Sequence, residues 1–186
     1  MGFHAAWLVA GTLSWSSLSS LSSVSGQLLP PPKDGDIRAV YWELRNESEV
    51  WLTLEPKAAT GGSAPMLTFT FQFPGKRPAV PPAQIEVRAY APVLMWAPRP
   101  ELWLVLDGGD KLDIGARGSP YGMMSGQVSD YLTAMISIDT LKRIASAKRI
   151  AGSALGIDFE LNESQGFALR TFLERVLSDN PVRWPR

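Results

Sequence analysis

Apolar and polar residues alternate with a period of two along several stretches of the chain, which is the pattern of strands with one buried face. The clearest case has four large apolar residues on one side: Leu67, Phe69, Phe71 and Phe73. A second alternation covers Gln84 to Tyr90. Because phenylalanines on one face suit the interior of a β-sandwich, we interpret this stripe as core rather than as a ligand platform.

Two aromatic and β-branched runs precede this strand and predict a hairpin. They cover Ile37 to Leu44 and Val50 to Glu55, and a short polar segment separates them. Residues two apart in a strand share a face. The first run therefore places Val40, Trp42 and Leu44 on one face, and the second does the same with Val50, Leu52 and Leu54. We expect both faces to cover a common core.

Two further hairpins are predicted from turn residues. Gly108-Gly109 separates the apolar runs of Glu101 to Gly115, and glycine permits the positive φ angles of a two-residue turn. Leu155-Gly156 separates Ile150 from a strand with Ile157, Phe159 and Leu161 on one side.

The C-terminal third of the chain carries the helical signals. A strand from Val128 to Ile138 is followed by a short helix over Thr140 to Lys148, with Asp139 as its expected N-cap. A second helix begins at Glu163, where Asn162 and Gln165 form a capping box. The pattern predicts an α+β fold, mainly an antiparallel β-sandwich or open barrel closed by two C-terminal helices.

The segment 144–172 resembles a C-terminal pattern of uncharacterised bacterial secreted proteins. The residues that carry this resemblance are Ile144 to Lys148, Leu155-Gly156, Phe159 to Leu161, Gln165, Ala168 to Arg170 and Phe172. The resemblance implies a fold element and an exported setting, and it implies no catalytic residue.

Composition divides the chain into four parts. Residues 1–26 contain no Asp, Glu, Lys or Arg, and their apolar run, Ala5 to Trp15, has the length of a signal-peptide core and not of a membrane span. We expect a signal peptide cut before Gln27, with a retained leader as the alternative. A Pro-rich spacer over 27–36, a single domain over 37–178 and a tail over 179–186 follow.

Charge and missing residue types restrict the function. The 18 Lys and Arg balance 18 Asp and Glu, so no overall field attracts nucleic acid or an anionic membrane, and local patches stay open. The chain has no Cys and its only His is His4. Triads, thiol nucleophiles and His-ligated metals therefore cannot be built after residue 26. We expect no cofactor, no metal site and no catalytic residue, and no stable membrane insertion after signal cleavage.

One catalytic alternative stays open. A hydrolase acting on glycan or cell-wall material needs only two carboxylates. Its acids would come from five positions: Asp107, Asp110, Asp113, Asp158 and Glu160. The spacing of the first three does not fit a calcium-binding EF-hand loop, and a turn bracketed by acids is the simpler interpretation.

Binding residues are expected in two glycine- and proline-rich connections. The first is a long loop, Gly115 to Gln127, with Tyr121, Met123 and Met124 as possible contacts. The second holds Met95 and Trp96 between prolines. A small basic cluster of Lys76, Arg77 and Arg88 is typical of a solvated face.

Taken together, the sequence predicts an exported protein, periplasmic or extracellular, that acts as a non-catalytic binding or interaction module. The expected partner is a protein or a neutral ligand, and not nucleic acid. Long loops on a rigid β scaffold are the sequence feature that favours binding over catalysis.

Overall fold

The structure, a computed structural model, describes residues 32–91, 101–109, 111–115, 117–124 and 127–181, with side chains outside 117–130. These residues lie within one compact unit that begins at Pro32. The predicted signal segment, Met95, Trp96 and Asp110 lie outside the described residues.

The fold is α+β, with two antiparallel sheets and two helices, as the pattern predicts, and the sheets do not close into a barrel. The strands are β1 (Ile37–Trp42), β2 (Glu47–Leu54), β3 (Lys57–Ala58), β4 (Met66–Pro74), β5 (Gln84–Tyr90), β6 (Leu102–Leu106), β7 (Lys111–Asp113), β8 (Arg117–Met124), β9 (Gln127–Ser137), β10 (Ile150–Ala154) and β11 (Ile157–Leu161). The helices are α1 (Ile138–Ser146) and α2 (Glu163–Val176).

The larger sheet has the order β1-β2-β4-β5-β9-β8, and the smaller one has the order β3-β11-β10-β6-β7. The inner face of the larger sheet follows the alternation in the sequence, because the four apolar residues of β4 are each at most 5% exposed. Phe172 of α2 meets Phe69 of β4 with ring centroids 6.5 Å apart, so α2 covers this inner face. The buried apolar residues of both sheets and both helices form one core.

The smaller sheet contains a tightly packed glycine. Gly152 of β10 lies between Phe159 of β11 and Leu104 of β6 in the strand register. A Cβ atom at this position would lie 2.6 Å from the Trp103 carbonyl oxygen and 2.8 Å from the Phe159 ring. Only glycine lets the aromatic ring rest on the backbone here.

The start of α2 is fixed by the capping box that the sequence predicts. Asn162 accepts a bond from the Gln165 backbone, and the Gln165 side chain accepts one from the Asn162 backbone. Gln165 is 1% exposed, and its Nε2 also donates to both carboxylate oxygens of Asp34 and to the Glu55 carbonyl. The cap therefore also attaches the chain before β1 to the C-terminal helix.

Lys33 to Asp36, expected to belong to a spacer, hydrogen-bond to the folded body. Gly35 donates to the Thr53 carbonyl, and Thr53 donates to the Asp36 carbonyl. The Lys33 backbone N–H, followed by the Arg38 guanidinium, lowers the pKa of Asp36 below its ordinary value. These contacts extend the ordered body to the residues just before β1.

Three local predictions are corrected by the structure. Residues 115–127 are not one long loop, because Arg117–Met124 pairs with β9 as an edge strand with an irregular register between Ser119 and Gly122. Glycines and a proline are tolerated at a bulged edge, so composition alone indicated a loop.

The positive φ angles of the β6–β7 turn fall at Asp107 and Gly108 rather than at Gly108 and Gly109.

The third correction concerns the start of α1. The Ser137 side chain accepts the Thr140 N–H, so Ser137 is the N-cap in place of Asp139. Asp139 instead lies in the first helical turn, where its carboxylate accepts a bond from Lys142.

Candidate functional site

The predicted binding residues lie where the structure describes either the backbone alone or nothing. The backbone of Tyr121, Met123 and Met124 lies in edge strand β8. Met95 and Trp96 lie outside the described residues. A binding role for these five residues stays a prediction.

Three of the candidate hydrolase acids, Asp107, Asp113 and Glu160, have structural partners. Asp113 accepts the Gly115 N–H, and the Glu160 carboxylate lies 3.1 Å from Arg149. In the smaller sheet Asp158 lies opposite Ser153, Ser153 opposite Trp103, and Trp103 opposite Asp113, so the two acids are three strands apart. Three strand spacings separate their backbones by about 14 Å, more than a glycosidase carboxylate pair requires. Within the described ranges, no group of three or more acidic, His or Cys side chains is arranged to hold a metal.

Asp107 stabilises the fold at the connection from α1 to β10. Its Oδ1 accepts the backbone N–H groups of Lys148 and Arg149 at 2.8 and 2.9 Å. Its own N–H donates to the Arg149 carbonyl, and its φ is 53°. Asparagine keeps the acceptor and tolerates this φ, whereas alanine does neither.

We therefore expect Asp107→Ala to lower the free energy of unfolding by about 2 kcal/mol, because two N–H groups lose their acceptor. Asp107→Asn is the matched control and is expected to cost less than about 1 kcal/mol. Urea denaturation followed by circular dichroism measures both. Equal losses for the two variants would contradict this structural role.

Two loops of the larger sheet emerge at the same end. Trp42, Glu47 and Pro74 share one row of the register, so the β1–β2 turn lies beside the start of the loop from 75 to 83. The strands β5 and β9 are aligned at the same end, with Gln84 opposite Ser137.

The β1–β2 turn is a rigid element. Asn46 closes a short 3-10 turn, Glu43–Arg45, in the left-handed region with φ 48°. Its Oδ1 accepts the Tyr41 hydroxyl at 2.9 Å, and its carbonyl accepts the Gly75 N–H at 2.7 Å. Ser48, fully buried, donates to the Gly75 carbonyl at 2.7 Å. The two loops are therefore bonded to each other.

This rigid turn holds apolar side chains in solvent. Trp42 is 45% exposed, Leu44 is 97% exposed and Val80 of the second loop is 72% exposed. These are three of the six large apolar side chains that are exposed in the part of the chain that the structure describes. Trp42 is oriented by its Nε1, which lies 3.4 Å from a carboxylate oxygen of Glu49.

The same two loops also carry cations. Arg45, Lys76 and Arg77 are exposed on the two loops. The Lys76 ammonium lies 4.8 Å from the centre of the Tyr41 ring, a cation–π contact that holds it beside the turn. We call the set Trp42, Leu44, Arg45, Lys76, Arg77 and Val80 the loop-end surface.

Two of these residues lie elsewhere than the alternation in the sequence predicts. Trp42 and Leu44 were expected to share a core face with Val40, and this is wrong for both. The inner face of β1 is instead formed by Ile37 and Ala39, which lie opposite Leu52 and Val50 of β2. Leu44 lies beyond the strand, in the 3-10 turn, where period-two alternation no longer applies.

The basic cluster predicted from sequence is divided in space. Arg88 lies on the outer face of β5, where its Nε and one terminal nitrogen bond the Glu86 carboxylate at 2.9 and 2.7 Å. These bonds raise the pKa of Arg88 above its ordinary value. Lys76 and Arg77 therefore contribute to the loop-end surface, while the charge of Arg88 is paired.

The opposite end of the larger sheet contains an open cavity of about 590 Å³. Its lining includes Glu55, Lys57, Ser63 and the Gly61-Gly62 tip. Both charged side chains are exposed. The cavity thus combines a glycine tip with solvated charges, which are weak determinants of a ligand site.

Within the described residues, no helix has both the length and the apolar character needed to cross a bilayer. Comparison of the chain with models of protein families, with curated proteins and with solved structures yields no match. The resemblance of segment 144–172 to secreted bacterial proteins therefore stays a prediction.

Proposed function

We propose that this chain is a non-catalytic extracytoplasmic binding or interaction module, and that its contact is the loop-end surface. The observation that carries the proposal is Leu44, which is 97% exposed on a turn fixed by side-chain and backbone hydrogen bonds. Isolated exposed apolar residues are common on proteins. Here a leucine, a tryptophan and a valine are exposed at one end of the same sheet.

Burial of these side chains would supply binding energy without any change in the fold. Complete burial of a leucine is worth about 1.5–3 kcal/mol, and tryptophan and arginine are the residues most often responsible for affinity at interfaces. The rigid turn means that little conformational entropy is lost when a partner binds. Contact through this surface is therefore favoured over contact through a mobile loop.

The non-catalytic and extracytoplasmic parts of the proposal have separate support. Three of the acids proposed for a hydrolase, Asp107, Asp113 and Glu160, are bonded to other groups, and the chain after residue 26 has neither His nor Cys. The extracytoplasmic part is supported by the apolar segment over residues 1–26, which contains no Asp, Glu, Lys or Arg.

Site-specific photo-crosslinking tests the proposal. A photoreactive amino acid replaces Leu44 in the full chain, and a matched control carries it at Thr60, an exposed residue of the loop at the opposite end of the sheet. After irradiation in an unfractionated lysate of the source cells, intact mass should show a discrete protein or lipid adduct at position 44 and none at position 60. Equal yields at the two positions, or no adduct at position 44, would overturn the proposal.

A further inference from the structure

We infer that two copies of this chain pair edge to edge through β1 and form a two-fold dimer with one continuous antiparallel sheet. β1 is the first strand of the larger sheet, and among the described residues it has a neighbouring strand, β2, on one side only. An edge strand presents a row of backbone N–H and C=O groups that another strand can satisfy. The inference concerns the edge of the sheet and does not depend on the proposed function.

The hydrogen bonds at the start of β1 identify the backbone groups that face the open edge. Thr53 of β2 donates to the Asp36 carbonyl and accepts the Gly35 N–H, so Asp36 faces β2. In an antiparallel pair, successive residues alternate between bonding to the partner strand and facing away from it. The residues of β1 that face away from β2 are Ile37, Ala39 and Tyr41. Within the part of the chain that the structure describes, no hydrogen bond reaches their outward N–H and C=O groups.

These three residues fit a second copy of β1 in one symmetric register. They are evenly spaced about Ala39, so an antiparallel copy places Ala39 opposite its own equivalent and Ile37 opposite Tyr41 of the second copy. Each such pair exchanges two backbone hydrogen bonds. A shift by two residues leaves outward groups of both copies without partners. The register centred on Ala39 therefore satisfies every outward group, and its two-fold symmetry is the geometry of closed dimers.

The side chains on the inner face suit this register. Ala39 has a small side chain at the symmetry axis, and it is only partly buried against the core. Ile37 opposite Tyr41 is a pair of a β-branched and an aromatic residue, which is a favourable cross-strand combination. The Tyr41 hydroxyl donates to Asn46 Oδ1 at 2.9 Å, which holds the ring in place. The second copy therefore extends the apolar inner face of the larger sheet.

β1 lacks the features that commonly protect an edge strand from pairing. Its sequence, Ile-Arg-Ala-Val-Tyr-Trp, contains no proline and no lysine. Arg38, its one charged residue, lies 3.0 Å from the Asp36 carboxylate of the same chain, so each copy supplies its own counter-charge. Gly35 donates to the Thr53 carbonyl, so the described chain just before β1 follows β2 and leaves the open edge accessible.

A second copy is favoured over an unrelated extended peptide. Pairing of two β1 strands removes the open edge of both partners at once, whereas a peptide covers one edge. A free peptide also loses conformational entropy when it becomes a strand. Both β1 strands are already held in place by β2, so this cost is smaller for the dimer.

Sedimentation equilibrium of the full chain measures the association. We expect the weight-average mass to rise from that of the monomer towards twice that value as the protein concentration increases through the micromolar range. Ala39→Pro removes the outward N–H at the symmetry axis without breaking a bond to β2. This variant should keep the circular dichroism spectrum of the natural chain and remain monomeric.

Val40→Lys is a second variant that keeps the backbone unchanged. It places a cation opposite Arg38 of the second copy, and the two-fold axis repeats this pair, so the dimer should weaken at least about fivefold. Within its own chain the new lysine lies opposite Glu49, which favours folding. Val40→Thr is the matched control of similar size and should change the dissociation constant less than about twofold.

The absence of natural cysteine permits a test of the register. Ala39→Cys places two thiols on opposite residues whose Cα atoms are about 5.5 Å apart, which is within the range of a disulfide. Thr60→Cys, on an exposed loop, is the control for random collisions. Under mild oxidation we expect at least about tenfold more covalent dimer from position 39 than from position 60.

The outcomes separate this inference from the proposed function. A mass that stays monomeric at every concentration overturns the dimer, and a protein adduct at position 44 in the same chain leaves the binding module intact. A dimer that neither Ala39→Pro nor Val40→Lys weakens uses another surface, and the inference fails. Equal yields of covalent dimer from positions 39 and 60 would also overturn it, because the register centred on Ala39 would be wrong.

Discussion

Replacing Gly152 with alanine is expected to lower the free energy of unfolding by about 3 kcal/mol, the upper part of the range for overpacked cores. The new methyl group would lie 2.6 Å from the Trp103 carbonyl oxygen, which is backbone, and 2.8 Å from the Leu104 and Phe159 side chains. A flexible side chain could move aside, but the Trp103 carbonyl belongs to the neighbouring strand. The close contact can therefore be relieved only if β10 moves away from β6.

Gly109→Ala, in the β6–β7 turn of the same sheet, is the matched control. Its Cβ would lie 3.6 Å from the Leu106 carbonyl oxygen, an ordinary contact, and its φ is not positive. We expect a change within about 0.5 kcal/mol. Urea denaturation followed by tryptophan fluorescence measures both variants. A loss below about 1 kcal/mol for Gly152→Ala would contradict the packing of the smaller sheet.

The second large effect concerns Gln165. Gln165→Ala is expected to destabilise the protein by about 3 kcal/mol, because several hydrogen-bonding groups lose their partner at a site that is 1% exposed. Asn162→Ala removes only the N-cap side chain and is expected to cost about 1 kcal/mol. The difference between these two losses separates the contribution of the N-cap to stability from that of the contact between Gln165 and Asp34.

A double-mutant cycle with Asp34→Ala tests that attachment directly. Because Gln165 Nε2 lies 2.9 and 3.0 Å from the two Asp34 oxygens, the coupling energy should exceed about 1 kcal/mol. Gln165→Glu places a second carboxylate against Asp34, so its destabilisation should decrease as the pH falls and one carboxyl gains a proton. Additive losses, or a pH-independent effect of this isosteric change, would contradict the geometry.

The sequence predicts the interior of the fold well where one local rule acts alone. The period-two stripe of β4 and the capping box of α2 are confirmed because burial and capping both follow from residues close in the chain. The contact of Gln165 with Asp34 could not be predicted, since it joins residues 131 positions apart. Pairing of β8 with β9 was missed because the partner strand, not local composition, determines it.

The residues of the loop-end surface show more clearly what local patterns in the sequence do not determine. Trp42 and Leu44 have the composition of core residues, and the alternation that includes them continues past the end of β1. Asn46, which ends the turn in the left-handed region, is the one sequence signal that the strand stops before Leu44. Lys76 and Arg77 were visible as a cluster, but their position beside the turn depends on the register of β2 with β4.

The central claim is that Leu44 is exposed for contact and contributes little to folding. The most direct measurement places a photoreactive residue at Glu43 and compares the natural chain with Leu44→Ser, recording adduct yield and the free energy of unfolding on the same samples. We predict an adduct yield reduced about tenfold or more and a stability within about 0.5 kcal/mol of the natural chain. An unchanged adduct yield, or a stability loss of about 2 kcal/mol, would contradict the claim.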